Sequence, residues 1–211
     1  MWLSQGAWYC TSRRVLGRLA LVALLGAAAS VSAQHSNIDS AQSTITIRVF
    51  KSGLFSALAH DHAIQAPIAS GSIDPQAKSV ELTFNVADMK VLDPGESDSN
   101  RKEIDETMKG PKVLDGTQFP SISFTSSSVK AVGSDRNEVV GTLKLHGTSR
   151  TITVPVTFSG GKYTGSVPLK QTDYGITPVK IAGGTVRVKD EIRLEFSIVP
   201  GSMKSSSGAG R

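Results

Sequence analysis

A chain of 211 residues with 23 Lys and Arg, 18 Asp and Glu and a formal net charge of +5 is long enough for one domain with a sizeable core. Its single cysteine, Cys10, excludes a disulfide within the chain. The sequence shows no clustered basic face with interleaved aromatic residues, which argues against a nucleic-acid partner.

The first 33 residues have the pattern of a secretory signal peptide. Arg13, Arg14 and Arg18 precede an apolar run from Leu19 to Ala29, and small residues follow up to Ala33. The run is shorter than the roughly 20 apolar residues that span a bilayer. We therefore predict cleavage near Ala33, a periplasmic or secreted protein and no stable insertion in the membrane. Removing three of the 23 basic residues leaves 20 against 18 acidic ones, a formal charge of +2.

From about residue 36 onward, apolar and polar residues alternate with a period of two. This period predicts β-strands with one buried and one exposed face. Short, Gly- and Pro-containing links between the runs predict turns between antiparallel neighbours. The runs lie at residues 45–49, 64–68, 80–86, 122–124, 139–145, 152–158, 163–169 and 192–198.

One charged segment, from Ser97 to Lys109, breaks the alternation. It predicts a short helix at about residues 100–110. Ser99 or Asn100 would cap its amino end, and Gly110 would end it.

About eight alternating strands can close as a barrel or stack as a sandwich, and the pattern alone leaves both open. Closure removes edge strands, and eight strands enclose room for side chains or one slim ligand. We predict an all-β fold, an eight-stranded antiparallel barrel with one short helix, over residues 36–200. Residues 201–211 are rich in Ser and Gly and predict a disordered tail.

Five short segments carry a distinctive combination of residues in a fixed order. They are Ile38-Asp39, Asp105-Glu106 through Pro111, Phe119-Pro120-Ser121-Ile122-Ser123-Phe124-Thr125-Ser126, Gly141-Thr142-Leu143-Lys144-Leu145-His146-Gly147-Thr148 and Asp173-Tyr174-Gly175-Ile176. Together they resemble the YceI-like family of polyisoprenoid-binding periplasmic proteins. The resemblance covers roughly Asn37 to Val199. It implies a lipocalin-like barrel whose lumen holds a long isoprenoid chain.

The apolar sides of the strands are the predicted ligand-binding surface. An isoprenoid chain is branched hydrocarbon, so a matching site is a tube of apolar side chains. The implied partner is a polyisoprenoid or quinone-type lipid, in a carrier, storage or stress-related role, with no other cofactor. The same side chains could instead fill a structural barrel without a ligand, and a dimer stays open. The predicted lumen residues are Ile45, Ile47, Val49, Leu82, Phe84, Val86, Ile122, Phe124, Leu143, Val154, Val156, Leu194 and Phe196.

The motif His60-Asp61-His62 is the most distinctive polar feature of the chain. On a strand, residues two apart point the same way, so the two imidazoles could share a ligand. No third metal ligand is evident in the sequence, and we predict no metal site. We assign His60 and His62 to the barrel rim, near a ligand head group. A metal- or haem-linked stress protein using this pair is the alternative.

Signatures of catalysis are missing from the sequence. It contains no Gly-x-Ser-x-Gly elbow and no Gly-rich phosphate loop. The acidic residues between positions 93 and 106 alternate with Lys and Arg, which is typical of a solvated surface. We therefore predict that the protein is not an enzyme and assign no catalytic residue.

Overall fold

The computed structural model describes residues 36–52, 61–181 and 186–201. The predicted signal peptide, residues 1–33, and the predicted tail after residue 201 lie outside these residues. Both therefore stay predictions. Within the described ranges, no helix combines the length and the apolar character needed to cross a bilayer.

The described residues form one antiparallel sheet of twelve strands with a single α-helix. The strands alternate with short turns for most of the chain, as the period-two pattern predicts. The elements are β1 (Ser36–Asn37), β2 (Thr44–Ser52), β3 (His62–Gln65), β4 (Ile68–Asp74), β5 (Ser79–Asn85), β6 (Lys90–Val91), α1 (Asp98–Lys109), β7 (Ser121–Ala131), β8 (Arg136–Leu145), β9 (Thr148–Ser159), β10 (Lys162–Lys170), β11 (Lys180–Ile181) and β12 (Val186–Ile198).

The sheet curls, so that β1, at one end of the strand order, comes close to β12, which lies further along that order. Its order is β1-β4-β5-β7-β8-β9-β10-β12-β2-β3-β6, with β11 paired to β12. β1 pairs with β4, and the adjoining Ile38 forms a bridge with Pro200, just after β12. β3 continues into β4 across Ala66 and Pro67, and the Ala66 amide donates to the Ile45 carbonyl. The result is a barrel-like sheet with its apolar face inward.

The all-β, barrel-like antiparallel fold is confirmed, but the predicted count of eight strands is wrong. β1, β6 and β11 have only two residues each, too few to show an alternation. The strand predicted around residues 64–68 is divided into β3 and β4 at Pro67. Proline lacks the amide hydrogen that a ladder requires, so the pairing changes there.

The predicted turns at two hairpins are confirmed. His146 and Gly147, between β8 and β9, have φ values of 49° and 71°. Gly160 and Gly161, between β9 and β10, have φ values of 57° and 75°. Positive φ at both central residues twists the chain in the same sense as the flanking strands. Each turn therefore sets the register of the hairpin that it closes.

The helix α1 is confirmed, but its cap is not at Ser99 or Asn100. The hydroxyl of Ser97 accepts a hydrogen bond of 3.2 Å from the Asn100 amide, so the helix begins two residues earlier than predicted. Arg101 anchors the helix to the preceding loop by donating to the main-chain oxygens of Asp93, at 3.1 Å, and Glu96, at 2.5 Å.

Gly141 in β8 provides a test of this packing. A Cβ atom at this position would lie 2.5 Å from Cζ of Phe124 and 2.6 Å from the Thr125 carbonyl oxygen. We expect Gly141→Ala to lower the free energy of unfolding by about 1–3 kcal/mol, because the β7–β8 ladder must shift. Urea unfolding measures this change. Gly95→Ala is the control, since nothing lies within 4 Å there, and equal losses in both variants would contradict the prediction.

Candidate functional site

The inside of the curled sheet contains an apolar cavity of about 290 Å³. This volume is close to the lower end of the range for ligand pockets, about 300–1,000 Å³. Its wall is built by inward-facing residues of β2, β4, β5, β7, β8, β9, β10 and β12. Each of these eight strands therefore contributes Ile, Val, Leu or Phe to the same cavity.

Most predicted lumen residues line this cavity. They are Ile45, Leu82, Phe84, Phe124, Leu143, Val154, Val156, Leu194 and Phe196. The sequence pattern thus placed the correct face of each of these strands inward. Their contact with a ligand stays a prediction.

The remaining predicted lumen residues do not line the cavity. Val86 leaves the sheet in a short 3-10 helix, Val86–Asp88, where its side chain is 1 % exposed. Ile47, Val49 and Ile122 are partly buried and pack against the core cluster. They lie at the end of the sheet whose interior is filled by side chains. The prediction therefore gave these strands the correct inward face but extended the free lumen too far along them.

Val129 and Ile73 line the cavity but escaped the prediction because their strands contain bulges. The β7–β8 register shifts between Ser126 and Ser128, so Phe124 and Val129 both face the cavity although one number is even and the other odd. A similar shift in β4 brings Ile73 to the wall. A bulge inserts one residue and reverses the inward phase, which a strict period of two cannot detect.

The polar residues of the wall are confined to one end of the sheet. Asp74, Lys78 and Ser79 lie at the β4–β5 turn, and Asn137 lies at the start of β8. The Asp74 carboxylate accepts from the amides of Gln76 at 2.9 Å and Ala77 at 2.8 Å, which fixes this turn. Apart from Tyr163, the remaining residues of the described wall are apolar.

His62 lies outside this cavity, in β3, and is paired with Asp93. Its Nδ1 lies 2.5 Å from a carboxylate oxygen of Asp93, and the side chains are 14 % and 6 % exposed. The second Asp93 oxygen accepts from the Ala63 amide at 2.8 Å. The pair therefore holds the loop before α1 against β3. The rim position predicted for His62 does not adjoin the cavity, and His60 lies outside the described residues.

The alternative of a metal site using His60 and His62 gains no support from the described residues. Among them there is no group of three or more His, Cys, Asp or Glu side chains placed to hold a metal ion. The carboxylate nearest to His62 is already engaged with the Ala63 amide. Because His60 is not described, this alternative remains a sequence-based hypothesis.

Tyr174 is the most deeply buried large residue near the other end of the wall. It is 2 % exposed, in a 3-10 helix at Gln171–Tyr174, and its carbonyl oxygen accepts from His146 Nδ1 at 3.1 Å. Burial raises the pKa of the Tyr174 phenol, and the neighbouring Asp173 carboxylate raises it further, against a smaller opposite effect of Arg150. The phenol is thus held in its protonated, hydrogen-donating form.

This raised pKa makes a testable contribution to stability. The folded state retains the phenol proton more strongly, so the contribution is complete below the ordinary tyrosine pKa of about 10 and is lost as pH rises through the higher folded value. We expect the unfolding free energy of the native chain to fall more steeply above pH 10 than that of Tyr174→Phe. Urea unfolding from pH 8 to 11.5 tests this, and parallel curves would contradict it.

The chain matches one known domain family and is similar to several curated bacterial proteins. A family model described as the YceI-like domain matches residues 36–199. A UPF0312 protein of Pseudomonas syringae pv. tomato is 32 % identical over 112 residues, which are 48 % of this chain and 54 % of the relative. One of Vibrio parahaemolyticus is 27 % identical over 121 residues, 53 % of this chain and 64 % of the relative. The chain therefore spans somewhat over half the length of these curated relatives.

One solved structure supports the fold, and a second is reported for its likeness alone. The crystal structure of BcnA from Burkholderia cenocepacia has a TM-score of 0.55 and 23 % identity, covering 76 % of this chain and 98 % of that one. A Campylobacter jejuni YCEI protein has a TM-score of 0.48 and 16 % identity, covering 72 % of this chain and 84 % of that one. With the family model over most of its length, this chain belongs to the YceI-like domain family.

Proposed function

We propose that this protein binds one long, apolar, isoprenoid-type lipid in the cavity of its curled sheet, as a carrier or a store. The observation that carries the proposal is the apolar wall around an unfilled volume of about 290 Å³. A water-filled space lined by Ile, Val, Leu and Phe is unfavourable, and a hydrocarbon chain would replace that water. The resemblance of the sequence to a polyisoprenoid-binding family supports the same ligand class.

The chemistry of the wall explains how such a site could bind without many polar contacts. Each buried methylene contributes about 0.8 kcal/mol, and several isoprene units add up to a large gross gain. Ordering a flexible chain and losing its translational freedom offset part of this gain. Branched methyl groups of an isoprenoid suit the shallow depressions between β-branched side chains such as Val139, Val154 and Val156.

The proposal is for a binding protein that acts outside the cytoplasm. A polyisoprenoid is nearly insoluble in water, and an apolar cavity would shield its hydrocarbon from water once it has left a membrane. Export would follow from the predicted signal peptide at residues 1–33. No catalytic group is needed for this role, and none is assigned.

Ligand analysis tests the proposal directly. We expect the exported protein, purified from a bacterial periplasm without detergent, to contain an isoprenoid that mass spectrometry detects in its organic extract. The stripped protein should also take up a fluorescent prenyl probe, because its cavity is then empty. An extract without isoprenoid, combined with no uptake of the probe, would sink the proposal.

A substitution that fills the cavity tests where the lipid lies. Val139 in β8 is buried and lines the cavity, so Val139→Phe places a ring in the space that the chain would occupy. We expect this variant to lose most of its probe uptake while remaining folded by circular dichroism. Thr142→Phe adds the same ring to the exposed face of the same strand. Uptake that is equally retained in both variants would show that the lipid does not use this cavity.

A further inference from the structure

Three hairpin turns lie together at one end of the sheet. In a run of antiparallel strands, every second turn falls at the same end. The β4–β5, β7–β8 and β9–β10 turns alternate in this way, because β5 pairs with β7 and β8 pairs with β9. The Phe158 amide also donates to the Asp135 carbonyl oxygen at 2.8 Å, which joins β9 to the β7–β8 turn. We call this end, residues 74–79, 130–138 and 158–163, the mouth.

The apolar cavity reaches the protein surface at the mouth. Pro75 and Lys78 in the β4–β5 turn and Ala131 at the end of β7 line the cavity, and all three are exposed. Toward α1, in contrast, Met89 and Met108 are buried in the core cluster and fill the interior. The mouth is therefore the end at which the cavity meets its surroundings.

The mouth also exposes apolar side chains. Among the described residues, the large hydrophobic side chains that are exposed are Leu92, Val132 and Phe158, at 44 %, 47 % and 40 %. The last two belong to the mouth. The Phe158 ring packs against the Tyr163 ring, with centroids 4.6 Å apart, so the hairpin fixes its position. Exposed apolar residues grouped beside the opening of an apolar cavity mark an interaction surface.

Cations outnumber the exposed carboxylates of the mouth. Asp74 is buried, and its carboxylate accepts from the amides of Gln76 and Ala77. The exposed carboxylates are those of Asp135 and Glu138. Four exposed cations face the solvent here, and none of them is in an ion pair within the part of the chain that the structure describes: Lys78, Lys130, Arg136 and Lys162.

The region around α1 has the opposite balance of charge. Residues 93–112, which contain α1, include six Asp and Glu against four Lys and Arg. The protein is thus more positive where the cavity opens and more negative where its interior is filled. An anionic surface attracts the first region and repels the second, so it turns the mouth toward itself.

The shape of the mouth favours a lipid surface over a folded protein as its partner. The centre of a protein interface is well packed and contributes most of the binding energy. The centre of the mouth is the opening of a cavity, which a rigid partner would leave unfilled. A lipid surface is fluid and adapts to a ring of contacts. Its affinity for a protein combines the insertion of apolar side chains with the attraction of Lys and Arg to anionic head groups.

We propose that the mouth docks on the surface of a membrane that contains anionic lipids. Val132 and Phe158 enter the head-group layer, and the four cations contact lipid phosphates. The docking itself does not depend on what the cavity holds. Only its purpose, the direct passage of a ligand between a bilayer and the cavity, rests on the proposed function.

Vesicle flotation of the full chain, stripped of bound lipid, tests the docking. We expect association with vesicles of phosphatidylcholine and phosphatidylglycerol and none with phosphatidylcholine alone. Lys78→Gln combined with Lys162→Gln should weaken the association by about tenfold to thirtyfold, because each lysine near an anionic surface adds to the affinity. Lys112→Gln combined with Lys144→Gln is the matched control, two exposed lysines outside the mouth. Equal losses in the two double variants, or no loss in either, would contradict docking through the mouth.

A fluorescent label tests which part of the protein enters the lipid. In a Cys10→Ser background, Val132→Cys carries a single nitrobenzoxadiazole group, whose emission rises in apolar surroundings. We expect this rise when the phosphatidylglycerol vesicles are added. Leu92→Cys is the control, because Leu92 is exposed to a similar extent but follows β6, beside α1. Equal changes at the two positions, or no change at Val132, would overturn the proposed orientation.

Val132→Ser separates docking from ligand binding. Val132 lies in the β7–β8 turn and is not part of the described cavity wall. We expect the variant to bind a prenyl probe in solution as tightly as the native chain, but to lose about threefold to tenfold in affinity for the vesicles. Unchanged vesicle affinity would count against docking by this turn. If the native chain docks but takes up no probe, the proposed function fails and the docking surface stands. If it takes up the probe but never docks, the reverse holds.

Two further results would assign the mouth to another partner. Binding of the soluble polyanion heparin, without flotation on any vesicle, would show that the cations recognise a charged polymer. Association of the chain with itself that Val132→Ser abolishes, again without flotation, would assign the apolar pair to a second copy of the chain. Light scattering measures this self-association, and either result overturns the membrane as the partner.

Discussion

The structure depends on one constraint, which is that a single sheet must cover its own apolar face. In the part of the chain that the structure describes, α1 is the only α-helix; it packs against β6 and adds Met108 to the core at one end, so no second layer covers the cavity wall. The sheet therefore curls until its inner faces oppose one another. Two short connections allow the sheet to curl. They are the bridge between Ile38 and Pro200 and the passage from β3 to β4 across Pro67. Each keeps backbone groups hydrogen-bonded at a joint of the sheet.

Residue shape decides which part of the interior is filled. Near α1, the buried set includes Met89, Met108 and Leu114, whose long side chains reach into irregular gaps. Around the cavity, much of the wall consists of valine and isoleucine. Such side chains are short and held in few rotamers, and they stand roughly perpendicular to the sheet. They cover the wall without meeting at the axis, so the same fold has a solid end and a hollow one.

The period of two in the sequence predicted the inward faces well and the limits of the lumen poorly. Phe124 and Leu143 lie in the part of the β7–β8 ladder before its bulge, and Val154 lies in the regular β8–β9 ladder, where alternation is a reliable guide. It failed where the backbone departs from a regular strand, at the bulge before Val129 and in the 3-10 helix that contains Val86. The pairing partner of a strand is set by distant residues, so no local pattern distinguishes a free lumen from a filled one.

The short ladder between β9 and β10, Thr157–Ser159 against Lys162–Thr164, shows the same limit of sequence-based prediction. Pro155 and Pro168 were visible in the sequence within alternating runs, and by themselves they weaken a strand without saying which of its two sides is unpaired. The structure resolves this, because the ladders to β8 and β12 are long and only the β9–β10 ladder is cut to three residue pairs.

The unpaired parts of β9 and β10 form two facing strand edges. Such edges ordinarily allow a strand of another chain to pair with the sheet. Here Arg150 and Lys170 lie along those edges, and the 3-10 helix that ends in Tyr174 lies across them. Charged side chains on an edge disfavour pairing with a second chain. These features protect the two edges although the β9–β10 ladder joins only three residue pairs.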